Sequence, residues 1–263
     1  MTQQAAPSIP ALRAPWSYAP PIMCGRFALY STPARIAASF GAEAGAVSWS
    51  ARYNVGPQQL VPVLRRIEGR RRLDLLRWGL VPSWAERPDI GARLFNARSE
   101  TAPDKPAFRS AFRHRRCVVA VDGFYEWKRL PDGTRQPYFI SRADTGLLAL
   151  AGLWEHWTGA DGRRLETFTI LTMPADAWMQ PLHERMPVML DTPAALATWL
   201  DETSPRQGLD ALPGPLPPAS LRAWPVTRAV GQVRNDSPEL VRPLPDSPDS
   251  PDSPEIKADS PCA

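Results

Sequence analysis

Four residues of this chain have side chains suited to trapping an electrophilic carbon and managing its protons: Cys24, Asn96, Glu126 and His183. Cys24 directly follows Met23. A chain trimmed to begin at Cys24 carries an α-amine and a thiol on one residue, a 1,2-aminothiol, which is a specific aldehyde trap. An α-amine has a pKa of about 7.7–8, so about a tenth of it is unprotonated at pH 7, against well under a thousandth of a lysine at about 10.4. The amine adds to the aldehyde carbon and water leaves, giving an imine. The thiol then adds across that C=N bond and closes a five-membered thiazolidine, helped by the effective concentration of a positioned reactant. Ring closure also removes the imine through which β-elimination would proceed.

The other three residues supply proton transfer and positioning. Glu126 sits in Phe124-Tyr125-Glu126-Trp127. A carboxyl group between aromatic neighbours is expected to be desolvated and raised in pKa, able to give or take a proton near neutrality. His183 has the titration range of a second proton shuttle. Asn96 transfers no proton, but its amide can hold an amine or a hydroxyl in place. Each has a plainer alternative: a small buried cysteine, a glutamate on an edge strand facing water, a structural histidine, and an asparagine in a turn or cap. His114, His156, Cys117 and Cys262 lack such context and read as surface, core or incidental residues.

Short strands and turns must position these groups. Residues 24–29 read as a strand, and Thr32-Pro33 starts a helix through Phe40. The segment 52–66 reads as a turn at Asn54–Pro57 followed by a strand, and Arg70–Arg72 as a hairpin tip before another strand. A proline-bounded loop over 81–88 presents Trp84, whereas Trp78 reads as core. A helical region lies around 106–113, and 117–129 reads as two strands split at Asp122-Gly123. Further apolar runs look like an antiparallel set. Residues 173–190 predict a short helix, a loop with His183 and a strand, and Thr192-Pro193 caps the last helix. The fold class is α+β: one domain with a mostly antiparallel, barrel-like β core and short peripheral helices.

Whole-chain properties narrow the setting. With 263 residues, 43% of them hydrophobic, and ten tryptophans, the chain can bury a substantial core. No apolar run is long enough to span a membrane, and residues 1–22 make a poor secretory signal, so a cytoplasmic protein is expected. Three separated cysteines indicate neither a disulfide framework nor a zinc site. The net charge of +4 is uneven, because five acids and one lysine lie beyond Pro245 and leave the rest more basic than the total. That balance suits a polyanionic partner. Residues 1–22 read as a disordered leader, the product of a start codon assigned upstream of Met23; 23–243 as the functional domain; and 244–263 as a disordered acidic Ser/Pro/Asp tail.

Six motifs occur in order: MCGRFA, RYNVGP, RWGLVPSWA, FNARSET, GFYEWK and LHERMPV. Over about residues 23–240 the chain resembles the SOS response-associated peptidase (SRAP) family of abasic-site processing proteins. The resemblance implies an N-terminal cysteine, here Cys24 after removal of Met23 and the leader, that forms a stable thiazolidine with the ring-opened aldehyde of an abasic site in single-stranded DNA. It gives Glu126 the proton transfers of imine formation and sugar opening, places His183 beside the deoxyribose, and lets Asn96 hold the amine or a sugar hydroxyl. It further implies self-processing peptidase activity of hydrolase type, lyase-like chemistry, no cofactor and no metal, a monomer, and nucleoid association on DNA.

Arg26, Arg98 and Arg185 stand two residues after Cys24, Asn96 and His183, a spacing that shares a strand face. They are expected at phosphates flanking the lesion. Arg109 and Arg113 extend that track, and Trp84 resembles the family's aromatic wedge that stacks on a base. Two other readings use the same residues. One is a cysteine peptidase or hydrolase using Cys24 and His183, which needs no free α-amine; the other is a non-catalytic single-strand binding module with an incidental cysteine, whose binding salt reverses.

Overall fold

Apolar residues over Leu60–Ile67, Arg70–Trp78, Arg116–Val121, Leu148–Thr158 and Arg164–Pro174 fold into strands that wrap one core, and the strands at Phe27–Leu29, Arg52–Val55, Gly123–Arg129, Arg135–Arg142 and Leu221–Pro225 form a second sheet. The computed structural model of the protein describes residues 25–204 and 216–245. In chain order the elements are β1 (Phe27–Leu29), α1 (Pro33–Phe40), β2 (Arg52–Val55), β3 (Leu60–Ile67), β4 (Arg70–Trp78), β5 (Asn96–Arg98), α2 (Arg109–His114), β6 (Arg116–Val121), β7 (Gly123–Arg129), β8 (Arg135–Arg142), β9 (Leu148–Thr158), β10 (Arg164–Pro174), β11 (Arg185–Pro187), α3 (Pro193–Leu200) and β12 (Leu221–Pro225). This is the expected α+β class. No helix among the described residues is long and apolar enough to cross a membrane.

Strands β3, β4, β10, β9 and β6 pair in a ring, β6 returning to β3 through Leu64↔Val118 and Arg65↔Cys117. Closure leaves these strands without a free edge. The pairing is mostly antiparallel, as expected, and β10 runs parallel to β4 and then to β5. The second sheet has the order β12-β8-β7-β1-β2. Alternation in β1 sends Phe27 and Leu29 into the main core and Ala28 to the other face. There Tyr125, Phe139 and Trp224 are covered by the segment holding Val230 and Leu240.

The chain passes from barrel to second sheet at Asp122-Gly123, the split read from the sequence. The Asp122 carboxylate accepts the backbone N–H groups of Tyr30 (2.7 Å) and Ser31 (2.8 Å) and the Ser31 hydroxyl (2.6 Å), which fixes the end of β1 against this corner. A Cβ on Gly123 would lie 2.3 Å from the Phe139 ring and 2.6 Å from the Ile140 carbonyl oxygen, so only glycine lets β7 begin so close to β8.

Thr32 caps α1 by accepting the Arg35 N–H at 3.2 Å, with Pro33 at the first helical position, as expected. Four local expectations are corrected. β1 starts at Phe27. Asn54 lies within β2, because its side chain, rather than a turn, consumes its hydrogen-bonding capacity: the amide donates to the carbonyls of Val230, Gln232 and Asn235 at 2.7–3.1 Å. The hairpin tip is Glu68-Gly69, both at positive φ, and Arg70–Arg72 already belong to β4. Residues 175–184 form turns without a helix; Ala175 N–H reaches across them to the Glu184 carbonyl (3.0 Å) and pins the loop as a closed excursion between β10 and β11. The expectations for residues 1–24, including Cys24, and for 246–263 fall outside the described residues.

Candidate functional site

The site is built from the pairing of β1 with β7. Phe27 lies opposite Phe124 and Ala28 opposite Gly123, and Tyr125 N–H donates to the Arg26 carbonyl at 2.9 Å. The same antiparallel register sets buried Gly25 opposite Glu126. Glu126 is 1% exposed and pairs on its other side with Tyr138 of β8. It therefore occupies an inner strand, and the reading of an edge glutamate facing water does not hold. Cys24, the residue before Gly25, lies outside the described residues.

A single tryptophan connects this strand pair to β5. Trp78 is fully buried, its ring centroid 4.9 Å from that of Phe27 and 6.2 Å from that of Phe95, and its Nε1–H donates to the Phe95 carbonyl at 2.8 Å. The next residue is Asn96, half-buried and opposite Ile170 of β10. The path from Phe27 to Asn96 thus runs through packed rings with little freedom to shift.

His183 stands at the end of the turn before β11 and is half-buried. Burial lowers its pKa below the ordinary value of 6.5, against a smaller opposing effect from its contact with the Arg185 backbone; Arg135, at the start of β8, is among the charges that lower it further. The ring is thereby biased toward its neutral form. Its Nδ1 lies 3.1 Å from the Arg185 N–H and 3.3 Å from the Arg185 carbonyl oxygen. The shorter contact assigns Nδ1 as acceptor, which leaves the proton of the neutral ring on Nε2.

The predicted phosphate contacts separate into two groups. Arg185 is 9% exposed; its guanidinium makes two bonds to Glu100 (2.6 and 2.8 Å) and a third to the Thr172 carbonyl (2.6 Å). This pairing holds the Glu100 carboxyl well below its usual range, at about 2. Arg26 is half-buried and donates to Asn54 Oδ1 (3.0 Å) and the Val230 carbonyl (3.1 Å). By contrast Arg98, Arg109 and Arg113 are exposed. Trp84 is 61% exposed, and its Nε1–H reaches the carbonyl of Pro106 (3.4 Å), ahead of α2. Residues between Arg98 and Arg109 are joined by successive backbone bonds, Ala102 to Arg98 at 2.8 Å and Arg109 to Lys105 at 2.8 Å, so the exposed arginines and Trp84 border one continuous segment.

Sequence reasoning singled out neither Glu100 nor Asn54. Glu100 lies in FNARSET two residues after Arg98, but its partner is 85 residues away along the chain, and no local spacing reveals that. Asn54 was visible only as a turn-type residue beside Gly56-Pro57. Among the described residues no group of three or more His, Cys, Asp or Glu is placed to hold a metal ion.

A closed barrel joined to a five-stranded sheet, with a buried glutamate next to the leading strand, defines a recognised class. The chain belongs to the SRAP family: the model described as SOS response associated peptidase (SRAP) matches residues 23–233. Abasic site processing protein YoqW of Bacillus subtilis (strain 168) is 38% identical over 223 residues, covering 83% of this chain and 99% of that protein. Abasic site processing protein YedK of Escherichia coli (strain K12) is 34% identical over 194 residues, covering 73% of this chain and 85% of that protein. A solved protein structure from Bacteroides thetaiotaomicron shares the fold with a TM-score of 0.77 at 23% identity, covering 84% of this chain and all of that one.

Proposed function

We propose that this protein processes abasic sites in DNA, as the names of its relatives say of them, and that it does so by forming a covalent thiazolidine between Cys24 and the ring-opened sugar in single-stranded DNA. The observation that carries the reading is the register that sets Gly25 opposite the buried Glu126. Cys24 is one peptide bond, about 3.8 Å between Cα atoms, from Gly25. An amine on that residue is within a short reach of a carboxyl group shielded from water.

In this reading Glu126 gives a proton to the ring oxygen as the sugar opens and then manages the protons of imine formation. The α-amine of Cys24 adds to the aldehyde carbon, water leaves, and the thiol adds to the imine carbon while the nitrogen takes the proton. His183, biased neutral with Nε2 protonated, stands as hydrogen-bond donor to the sugar, and Asn96 orients the amine or a hydroxyl. Arg98, Arg109 and Arg113 hold phosphates, Trp84 stacks on a base, and Arg26 and Arg185 act on the strand chiefly by positioning what carries them. The functional unit is residues 23–243, acting as a monomer with no cofactor and associated with the nucleoid on DNA. Removal of the residues before Cys24, by self-processing peptidase chemistry at the same site, is required to free the α-amine.

The test is a denaturing gel with single-stranded DNA from which uracil has been excised. The chain starting at Met23, with its methionine removed, is expected to give a band that survives boiling in detergent. Cys24→Ala and a chain still carrying residues 1–23 are expected to give none. Equal crosslinking by the untrimmed chain would exclude the aminothiol mechanism.

A further inference from the structure

Glu100 joins the strand that carries Asn96 to the strand that follows His183. It lies in the turn after β5, where the N–H groups of Thr101 and Ala102 both return to the Arg98 carbonyl (3.1 and 2.8 Å) and Ser99 N–H reaches the Thr172 carbonyl on β10 (2.9 Å). From there its carboxylate crosses β10 and accepts from Nη1 and Nη2 of Arg185, the first residue of β11, at 2.6 and 2.8 Å. The Ser99 hydroxyl donates to the same carboxylate at 3.2 Å. Bidentate, charge-assisted pairs of this kind are strong and geometrically specific. With its pKa lowered to about 2, Glu100 is ionised throughout the neutral range.

Arg185 is also where His183 rests. The β10–β11 ladder is bracketed by bonds from Val188 N–H to the Leu171 carbonyl and from Ala175 N–H to the Glu184 carbonyl (2.9 and 3.0 Å). Bonded and non-bonded pairs alternate in antiparallel pairing, which puts Pro174↔Arg185 among the non-bonded pairs. The N–H and C=O of Arg185 therefore point away from β10, and both meet His183 Nδ1, at 3.1 and 3.3 Å. These nearly equal distances call for opposite states of the ring: the N–H needs a bare Nδ1, the carbonyl a protonated one. A small shift of this backbone would move the proton of the neutral ring from Nε2 to Nδ1 and turn Nε2 from donor to acceptor.

We infer that Glu100 is a positioning residue for the proposed reaction: its hold on the Arg185 guanidinium keeps the Arg185 N–H on His183 Nδ1, and so keeps the ring proton on Nε2. The inference rests on the reading of His183 as a hydrogen-bond donor to the sugar. Glu100 itself touches no reacting atom and acts through Arg185. That side chain is anchored twice, because its Nη2 also donates to the Thr172 carbonyl at 2.6 Å, and Thr172 stands opposite Arg98 of β5. Glu100 follows Asn96 by four residues on the segment paired to β10. The same ion pair thus sets the spacing between Asn96 and His183, two groups proposed to meet one sugar.

The test reads the ring nitrogens of His183 by long-range proton–nitrogen NMR in the trimmed chain beginning at Cys24, at about pH 8 where the ring is neutral, with His183→Gln to assign its signals. Wild type is expected to show a single state, protonated on Nε2. Glu100→Ala should show two exchanging tautomers, and so should Glu100→Gln, which keeps the shape of the side chain and loses its charge. In both variants the crosslinking rate at saturating DNA should fall by about 10- to 100-fold, the larger figure being the cost of a group about 1 Å out of place. Affinity for DNA holding an unreactive abasic analogue should be unchanged or tighter, because an acid has been removed beside a polyanion. A loss of stability alone would move neither the tautomer nor the rate of the folded fraction. The inference is overturned if wild type carries the proton on Nδ1, if both variants keep the single Nε2–H state, if the rate is unchanged, or if the loss of rate follows a loss of affinity. The ring is read without DNA, so a wild type that fails to crosslink counts against the proposed function, while the tautomer still decides the role of Glu100.

Discussion

Arg98 and Arg185 lie on strands that flank the same end of β10, each two residues beyond a residue proposed to do chemistry, and they end in opposite environments. β5 pairs with β10 through Thr172↔Arg98, and β11 through Pro174↔Arg185. Arg98 is exposed, whereas Arg185 is folded back over β10 onto the Thr172 carbonyl and Glu100. Identical spacing thus produced one side chain open to a ligand and one that clamps two strands. The deciding factor is a carboxylate: Glu100 stands within 2.6 Å of Arg185, and no acidic partner is recorded for Arg98 among the described residues. Arg26 lies between the two, its Nη1 donating to Asn54 Oδ1 and the Val230 carbonyl with no carboxylate among these partners.

The largest expected effect that separates the two is on stability. Arg185→Ala should lower unfolding free energy by about 2 kcal/mol in urea titration, since a buried guanidinium with three charged or carbonyl contacts is lost while half-exposed Glu100 can rehydrate. Arg98→Ala should leave stability within about 0.5 kcal/mol but weaken single-strand binding at all sequences and reduce the salt slope by roughly one phosphate's share. If Arg98→Ala proved the more destabilising, the comparison would be wrong. Next in size, Trp84→Ala should cost about 1–3 kcal/mol of single-strand binding through lost stacking, measured by fluorescence anisotropy, with unchanged thermal stability because the side chain is already 61% exposed.

A smaller effect comes from acid. Glu100 has its pKa lowered from 4.5 to about 2 by the hydrogen bonds from Arg185. A carboxylate depressed in the folded state stabilises fully above the unfolded value near 4.5, and that contribution is lost as pH falls toward 2. Urea midpoints should therefore fall between those pH values, and Arg185→Ala should flatten that part of the profile; the partial exposure of Glu100 keeps the change modest. The smallest shift is at His183, whose ring protons should titrate by NMR with a midpoint below 6.5, because burial disfavours the charged ring. A midpoint above 6.5 would remove the neutral imidazole from the proposed chemistry.

Much of this arrangement was legible in the sequence, and the reasons it was not fully so are physical. Helix starts at Thr32-Pro33 and Thr192-Pro193 and the break at Asp122-Gly123 depend on residues adjacent in the chain, and all three occur as read. Burial of Glu126 followed from its aromatic neighbours. The parallel pairing of β10 with β4 and β5 is a long-range choice that periodicity does not encode. Asn54 was read as a turn because asparagine commonly serves there; its partners lie 176 to 181 residues away along the chain, beyond the reach of any local pattern. Arg26 and Arg185 show the same limit: an arginine's partner within the protein is set by the fold, and spacing within a motif reports only the face it begins on.

The most direct test of the central claim is to identify the atom that holds the DNA. Crosslinked protein, digested with nuclease and protease and analysed by mass spectrometry, should carry a deoxyribose remnant on a peptide whose first residue is Cys24, with both its α-amine and thiol consumed. A remnant on a lysine, or on a chain that still begins before Cys24, would contradict the account.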